Sequence, residues 1–315
     1  MAKSGRALPV LGMVGIGGLG AAIAQRLLKM KYSVIVFDTN VSRVKELARA
    51  GARAAASAAD VGAEAEIILT ALPNSEMFVQ VVENELLPGL TKGKVLIDLG
   101  ITELSQTRRL AAWLNERGVH LLDAPVSGSE RRAEEGSLNI FVGGSKDVYK
   151  ACSSLLKCLG AAGKITYCGP SGCGQIVKGV EQLAVGLGQA AFIEAIAYGV
   201  NHGISAEDLA ETLEDSAASR TTFASVIKQI LSEGGENVST NAGELGYFVK
   251  SSDAIDQPLP LTTALATWMH TAEPVVIERG EHTPSYWIEL TRRPKKDSRD
   301  ADEAADEEKT VISKR

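Results

Sequence analysis

A glycine-rich turn near the start of the chain has the composition of a phosphate-binding site. It lies between a strand-like apolar run and a segment with helical periodicity, and it consists of Gly15, Ile16, Gly17, Gly18, Leu19 and Gly20. In such a turn the first glycine permits a tight bend, the second lets a pyrophosphate approach the backbone, and the third lets helix and strand pack closely. The N–H groups of the following helix then face the phosphates. Since Asp38 closes the next strand, the pattern predicts a dinucleotide site rather than a glycine turn without a ligand.

The side chain of Asp38 also bears on which dinucleotide binds. A carboxylate at this place can accept hydrogen bonds from an unmodified ribose and would repel a 2′-phosphate, so NAD is the expected cofactor. Arg43 lies close by in the sequence and keeps NADP open as an alternative. The simplest interpretation of Arg43 is a solvated cation on the second helix.

A lysine interrupts the apolar helical stretch QIVKGVEQLAVGL in the second half of the chain. At such a place Lys178 could be a surface side chain whose stem covers apolar groups. If it is partly removed from water beside a cationic nicotinamide, it could instead exchange a proton near neutral pH. Gln182 lies one helical turn later and shares a face with Lys178.

A run of small polar residues lies between these two regions. Ser127, Gly128 and Ser129 can turn hydroxyl and backbone N–H groups toward a carboxylate, and their size leaves room for a compact substrate. An ordinary tight loop is the alternative interpretation.

The elements of the first half predict a parallel, doubly wound sheet, because short apolar runs alternate with amphipathic helical segments. Strands are predicted at Val10–Val14, Ser33–Phe37, Glu66–Leu72, Lys94–Leu99, Val119–Asp123, Leu138–Val142 and Lys164–Tyr167. Helices are predicted at Leu19–Met30, Val41–Ala50, Ser75–Asn84, Leu104–Arg117 and Lys146–Leu159.

After Gly169 the strand pattern stops and helical segments follow. They are predicted at about Gly172–His202, Ser205–Ser216, Thr222–Leu231, Gly243–Ile255 and Leu261–Arg279. The fold class is therefore an α/β Rossmann-type domain, residues 1–168, followed by an all-α domain, residues 169–291, which is entered through a long helix. Residues 292–315 are rich in both charges and poor in large apolar groups, which predicts a disordered tail.

Composition and charge exclude several classes of protein. Hydrophobic residues make up 45% and charged residues 23% of the 315 residues, which is typical of a soluble globular protein. The net charge of −6 argues against a nucleic-acid-binding function. The longest apolar stretch, Ile176–Val200, carries charged side chains, and no signal peptide is visible, so we expect a cytoplasmic protein that does not span a membrane. The four cysteines and four histidines fit no familiar metal-site spacing, so no metal is expected and the cysteines are interpreted as free thiols.

The order of the motifs resembles that of the β-hydroxyacid dehydrogenase family, which includes 3-hydroxyisobutyrate dehydrogenase, tartronate semialdehyde reductase and 6-phosphogluconate dehydrogenase. Besides the glycine turn, Leu72-Pro73 matches the family's cofactor-contacting turn after the fourth strand. Residues 123–129, DAPVSGS, continuing through GSL to Gly143-Gly144, match its substrate loop. Gly172-x-Gly174-x-x-x-Lys178 matches its catalytic helix.

The resemblance implies an NAD(P)-dependent oxidoreductase that transfers a hydride between nicotinamide and a small 3-hydroxy acid or its semialdehyde. It implies that Lys178 is the general acid/base, that Leu72 and Pro73 join the glycine turn and Asp38 in binding cofactor, and that the serine loop and Gln182 bind the substrate's carboxylate end. It also implies a homodimer or homotetramer built through the helical domains.

Several positions depart from the family pattern. Asp98-Leu99-Gly100-Ile101 lacks the hydroxyls of the usual Asp-Leu-Ser-Thr turn, which Thr102 could partly replace, and Gly243 stands where a second lysine is usual. Glu181 replaces an asparagine. At its three-residue spacing it could pair with Lys178, which would favour the ammonium and weaken the lysine as a base. The preferred interpretation of Glu181 is a solvated side chain.

These departures leave two alternative functions open. One is a catalytically degraded family member that binds dinucleotide as a sensor or assembly protein. The other is an imine-type reductase, which the presence of Lys178 disfavours.

Overall fold

A nine-stranded sheet organises the first half of the chain. The computed structural model describes residues 8–160, 164–213 and 242–277. The strands are β1 Leu11–Val14, β2 Val34–Phe37, β3 Arg53–Ala54, β4 Ile67–Thr70, β5 Val95–Asp98, β6 His120–Asp123, β7 Val126–Ser127, β8 Asn139–Gly143 and β9 Ile165–Gly169. Their order is β3-β2-β1-β4-β5-β6-β8-β7, with β9 paired to β8.

The pairing confirms the predicted Rossmann-type fold. Strands β1 to β6 run parallel to one another, whereas β8 is antiparallel to β6. The carboxyl ends of β4, β5 and β6 lie in register, so that Thr70 pairs with Asp98 and Asp98 pairs with Asp123. Polar side chains at three adjacent strand ends therefore meet at one edge of the sheet.

The helices of this half cover both faces of the sheet. They are α1 Gly18–Lys29, α2 Val41–Arg49, α3 Ala58–Glu64, α4 Ser75–Gln80, α5 Leu104–Asn115, α6 Glu130–Glu135, α7 Lys146–Ala151 and α8 Ser153–Leu159. The predicted helix Ser75–Asn84 is α-helical only as far as Gln80 and continues as a π-helical turn, Val81–Leu86. The predicted helix Lys146–Leu159 is divided at Cys152, which is buried.

Alternate side chains of the central parallel strands enter two separate cores. Val36 of β2 packs in the same core as Ile23 and Leu27 of α1. Its neighbour Ile35 packs in the other core, together with Phe78 of α4. Because both faces are covered, the strands are apolar nearly throughout, which is the pattern that predicted a parallel sheet.

Four further helices complete the described chain, in agreement with the predicted helical second half. They are α9 Cys173–Asn201, α10 Ala206–Thr212, α11 Ala242–Asp253 and α12 Pro260–Ile277. By its contacts the chain divides into two compact units, one formed by residues 1–184 with 242–263 and the other by residues 185–241 with 264–315. The predicted helix Thr222–Leu231 and the predicted tail, residues 292–315, lie outside the described residues.

The first unit contains the sheet, the first three turns of α9 and all of α11. In the second unit, Ser205 caps α10 by accepting a hydrogen bond of 3.0 Å from the N–H of Asp208, as its spacing predicts. Gly199 allows Leu209 to approach α9, since a Cβ at this glycine would lie 2.8 Å from the leucine side chain.

The long helix α9 is the one described segment that could cross a membrane by length and composition. Its residues Cys173–Ala197 have a mean hydropathy of 1.2. Core helices of soluble proteins can meet the same criterion, and α9 buries the polar side chains of Gln175 and Lys178 inside the first unit.

Candidate active site

A cleft of about 460 Å³ opens in the first unit beside the glycine turn. It is lined by the ends of β1, β2, β4 and β5 and by the residues that follow them. Among the predicted cofactor-binding residues, it brings together Gly15, Gly17, Gly18, Leu19, Gly20, Asp38, Leu72 and Pro73. The remaining predicted residue, Ile16, is buried, and its N–H donates a hydrogen bond to the cleft-lining Asp38.

Two positions in the turn require glycine. Gly15 has a φ of 83°, and a Cβ there would lie 2.5 Å from the carbonyl oxygen of Ala71. A Cβ at Gly20 would overlap the carbonyl oxygen of Gly15. The turn is therefore held against the end of β4 and the first turn of α1 more closely than any side chain allows.

The carboxylate of Asp38 ties the glycine turn to the end of β2. One oxygen accepts a hydrogen bond of 2.7 Å from the N–H of Ile16, and the other accepts one of 2.7 Å from the N–H of Asn40. Each carboxylate oxygen retains a further lone pair for a ribose hydroxyl.

Arg43 is closer to the cofactor cleft than its interpretation as a solvated cation implies. It is exposed, but it lines the cleft, and a Cβ at Gly17 would lie 3.5 Å from its guanidinium. A cation near Asp38 offers a site for a 2′-phosphate. The cleft thus holds one group that favours NAD and one that tolerates NADP.

The residues present fit a dinucleotide. Helix α1 begins at the glycine turn with no side chain capping its N–H groups, whereas Asn40, Ser57 and Asn74 cap the next three helices. Uncapped N–H groups beside an open cleft suit a pyrophosphate. Gln175, whose amide donates a hydrogen bond to the cleft-lining Gly100, has a buried Oε1 without a hydrogen-bond partner among the described residues.

Glu130 was not predicted to lie near the cofactor. Its carboxylate lies against Gly18, in the space that a side chain at that glycine would fill. Glu130 begins α6, which packs along α1. No sequence signal links two residues so far apart, because only the packing of α6 on α1 brings them together.

Lys178, in the second turn of α9, is almost completely buried. Its side chain is 6% exposed, and its Nζ atom lies 2.7 Å from a carboxylate oxygen of Glu181, whose side chain is 27% exposed. One turn earlier, Nε2 of Gln175 donates a hydrogen bond of 3.0 Å to the carbonyl of Gly100, a residue that lines the cleft. The structure corrects the interpretation of Glu181 as a solvated side chain, because its carboxylate is the ion-pair partner of Lys178.

Two buried carboxylates lie at the ends of β5 and β6. Asp98 accepts hydrogen bonds from Thr102, at 2.7 Å, from Thr70, at 3.1 Å, and from the N–H of Gly100. Burial raises the pKa of Asp98 to about 7, although these hydrogen bonds oppose the shift. Burial also raises the pKa of the neighbouring Asp123.

Thr102 is the residue that could replace the missing hydroxyls near the nicotinamide, and its contact with Asp98 shows where its side chain lies. Its hydroxyl is buried and donates to Asp98. Thr102 therefore supports the turn after β5 in place of facing a ligand.

The predicted substrate residues have defined local roles. Ser127 pairs with Asn139 in the sheet, and Gly128 has a φ of 143°. The hydroxyl of Ser129 accepts a hydrogen bond of 3.4 Å from the N–H of Arg132 and so caps α6. Gln182 donates a hydrogen bond of 3.4 Å to the carboxylate of Glu244 in α11.

Comparisons with known proteins identify the family. The family model described as the NAD binding domain of 6-phosphogluconate dehydrogenase matches residues 10–169. A second family model, described as NAD-binding of NADP-dependent 3-hydroxyisobutyrate dehydrogenase, matches residues 172–285. The 2-(hydroxymethyl)glutarate dehydrogenase of Eubacterium barkeri is 32% identical over 263 residues, which cover 82% of this chain and 86% of that protein. The chain belongs to the β-hydroxyacid dehydrogenase family.

Two further proteins show how far the likeness extends. The mitochondrial 3-hydroxyisobutyrate dehydrogenase of Mus musculus is 34% identical over 209 residues, which are 66% of this chain and 62% of the mouse protein. The chain thus spans less than two thirds of that relative. The solved 3-hydroxyisobutyrate dehydrogenase of Mycobacterium tuberculosis with L-serine has a TM-score of 0.74 at 23% identity, covering 91% of this chain and 100% of that one. At that identity the likeness shows the fold alone.

In this β-hydroxyacid dehydrogenase family member, one of the departures from the family pattern lies in α11. Gly243, which stands in place of the second lysine, is exposed. Two turns later Lys250 forms an ion pair of 2.7 Å with the buried Glu103, and Tyr247 donates a hydrogen bond of 2.8 Å to Glu76. Helix α11 is therefore held to the start of α4 and to the residue before α5 by contacts that do not involve residue 243.

Metal and disulfide chemistry have no support among the described residues. No group of three or more His, Cys, Asp or Glu side chains there could hold a metal ion. All four cysteines are free thiols; Cys152 is buried, and Cys158, Cys168 and Cys173 are half-buried.

Proposed function

We propose that this family member is an NAD(P)-dependent oxidoreductase acting on a small 3-hydroxy acid or its semialdehyde, with Lys178 as the general acid/base. The observation that carries the proposal is the burial of Lys178 one helical turn after Gln175, which is hydrogen-bonded to the cleft-lining Gly100. A buried amine at this place can exchange a proton with a ligand that reaches beyond the cleft.

Cofactor binding is assigned to the residues that line the cleft. The glycine turn and the uncapped N–H groups of α1 hold the pyrophosphate, Asp38 accepts hydrogen bonds from the ribose, and Leu72 and Pro73 form the wall. When bound, the nicotinamide accepts or supplies the hydride. NAD is the expected cofactor, and Arg43 makes NADP the alternative.

Substrate binding is assigned to Ser127, Gly128, Ser129 and Gln182, which present hydroxyl, N–H and amide groups to a carboxylate. In oxidation Lys178 removes the alcohol proton, and in reduction it returns a proton to the carbonyl oxygen. Because Lys178 is nearly buried and Glu181 is not, the carboxylate of Glu181 offers the proton a route between the amine and solvent.

The proposal also covers the cellular location and the oligomeric state of the protein. A homodimer or homotetramer is expected from the family resemblance, and sedimentation of the full chain tests the assembly. The cytoplasmic location stays a prediction from the sequence. The limits of the two domains, near residues 168 and 291, also stay predictions.

Replacement of Lys178 tests the proposal. Nicotinamide absorbance is followed with a panel of small 3-hydroxy acids and semialdehydes, using NAD and NADP in turn. Lys178→Ala should lower kcat about 10²- to 10⁴-fold, the usual contribution of a general acid/base, and leave dinucleotide binding unchanged. Lys150→Ala, at a lysine whose side chain is 64% exposed, is the matched control.

Two outcomes would overturn this function. Dinucleotide binding without turnover of any member of the panel would favour a sensor. Turnover that survives Lys178→Ala would remove the lysine from the mechanism.

A further inference from the structure

Helix α9 begins at a carboxylate that belongs to another element. Asp123, at the end of β6, is fully buried. One of its oxygens accepts a hydrogen bond of 2.8 Å from the N–H of Gly172, and the other accepts one of 3.2 Å from the N–H of Gln175. These N–H groups lie at the start of a helix, where no helical carbonyl can accept from them. A buried carboxylate from the sheet thus caps the helix that carries Lys178.

Two glycines bring Asp123 and the helix into contact. A Cβ at Gly174 would overlap the carbonyl oxygen of Phe141 and lie 2.6 Å from the carbonyl oxygen of Asp123. A Cβ at Gly143 would lie 2.5 Å from the carboxylate of Asp123. Any side chain at either position would therefore displace the carboxylate or the helix.

The side chain of Gln175 fixes the same turn from another side. Its Nε2 donates to the carbonyl of Gly100, whose N–H donates to Asp98 at 3.2 Å. Asp98 is the partner of Asp123 in the sheet register. The first turn of α9 is thus attached to the ends of two adjacent strands, by its backbone to Asp123 and by its side chain to the turn after β5.

We propose that Asp123 is a positioning residue for Lys178, fixing the lysine beside the cofactor cleft by capping the first turn of α9. Lys178 follows Gln175 by three residues, so its place is set by the same turn of helix. A shift of about 1 Å in a reacting group can cost 100-fold in rate. The inference rests on the proposed function, because it assigns to Asp123 a role that acts through the lysine.

A double-mutant cycle tests this role in turnover. Asp123→Asn keeps the size of the side chain but presents an amide N–H₂ group to a backbone N–H. It should lower kcat by about 100-fold, with the Kd for NADH unchanged. In the Lys178→Ala background the same substitution should change the residual rate by less than about twofold, because a role exerted through the lysine is already lost. An equal fall in both backgrounds would overturn the positioning role.

A second measurement does not depend on turnover. Acetic anhydride modifies exposed amines, and mass spectrometry compares Lys178 with Lys150, whose side chains are 6% and 64% exposed. Asp123→Asn and Gly174→Ala should each increase the modification rate of Lys178 at least about tenfold relative to Lys150. Gly188→Ala on the same helix, where a Cβ meets nothing within 4 Å, should leave it unchanged.

The two measurements separate failure of this inference from failure of the proposed function. Unchanged labelling of Lys178 in both Asp123→Asn and Gly174→Ala would overturn the positioning role, whatever the activity. Turnover that survives Lys178→Ala would overturn the proposed function, and increased labelling would still show that Asp123 holds the lysine in place.

Discussion

The Nζ atom of Lys178 lies 2.7 Å from a carboxylate oxygen of Glu181, one turn further along the same helix. The two side chains differ in exposure, 6% for the lysine and 27% for the glutamate. An amine buried beside an acid that reaches solvent is well placed to gain and lose a proton during turnover. The pair also distinguishes this chain from the usual family pattern, in which an asparagine stands at position 181.

Replacing Glu181 should slow proton exchange between Lys178 and solvent. The carboxylate contacts the buried amine and is itself partly exposed, whereas an amide cannot accept and release the proton in the same way. In Glu181→Gln we therefore expect kcat to fall by about tenfold or more, with the Kd for NADH unchanged. Glu194→Gln, at an exposed glutamate later in α9, is the control. An unchanged kcat in Glu181→Gln would contradict a proton route through Glu181.

Replacing Asp38 should weaken the preference for NAD. An asparagine has no charge and a single acceptor oxygen, while the carboxylate already accepts from the N–H groups of Ile16 and Asn40. We expect Asp38→Asn to raise the Kd for NADH about tenfold and to affect NADPH less, since the repulsion of a 2′-phosphate is removed. Fluorescence titration with both dinucleotides measures the ratio of the two constants.

Arg43 provides the complementary comparison for cofactor choice. Arg43→Gln should weaken NADPH binding more than NADH binding, and Lys45→Gln, exposed on the same helix, should alter neither. If Asp38→Asn leaves the ratio of constants unchanged and Arg43→Gln shifts it, Arg43 rather than Asp38 selects the cofactor.

Replacing Glu130 should strengthen dinucleotide binding. Its carboxylate lies against Gly18 at the start of α1, where the pyrophosphate is expected, and like charges repel. Glu130→Gln should lower the Kd for NADH about threefold at low salt, and the difference should shrink at high ionic strength. Glu134→Gln, exposed on the same helix, is the control. Weaker binding in Glu130→Gln would mean that the carboxylate assists the cofactor.

Replacing Asp98 should remove a pH dependence of stability. Burial raises the pKa of Asp98 to about 7, above the ordinary value of 3.8 that it has when unfolded. Between about pH 4 and 7 the unfolded chain loses a proton that the folded chain keeps, so this group's contribution to stability falls as the pH rises through that interval.

Denaturant unfolding across this range measures the effect. The free energy of unfolding of the unmodified protein, relative to Asp98→Asn, should decrease by several kcal/mol from pH 4 to pH 7. Asp147→Asn, at a side chain that is 92% exposed, should show no such change relative to the unmodified protein. A constant difference between the unmodified protein and Asp98→Asn would contradict a proton held on this carboxylate.

Three short elements, α3, α6 and β7, are not predicted from the sequence, and the reason is physical. Helices α3 and α6 are seven and six residues long, too short for a periodic apolar pattern, and β7 has two residues. Their signals are local caps: Ser57 accepts from the N–H of Asp60, and Ser129 accepts from that of Arg132. Ser57 followed by Asp60 has the same capping spacing as Ser205 followed by Asp208 at the start of α10, and this spacing is a sequence signal for α3.

The parallel sheet, the glycine turn and the helix that carries Lys178 can be predicted without a structure, because apolar periodicity and glycine at a strand–helix junction are local properties. Three contacts depend instead on the packed fold: Glu181 pairs with Lys178, Glu130 lies over Gly18, and Asp123 caps α9. A three-residue spacing permits an ion pair, but burial of the lysine makes the pair necessary. The other two contacts join residues far apart in the chain, and they exist because α6 packs on α1 and the start of α9 meets the end of β6.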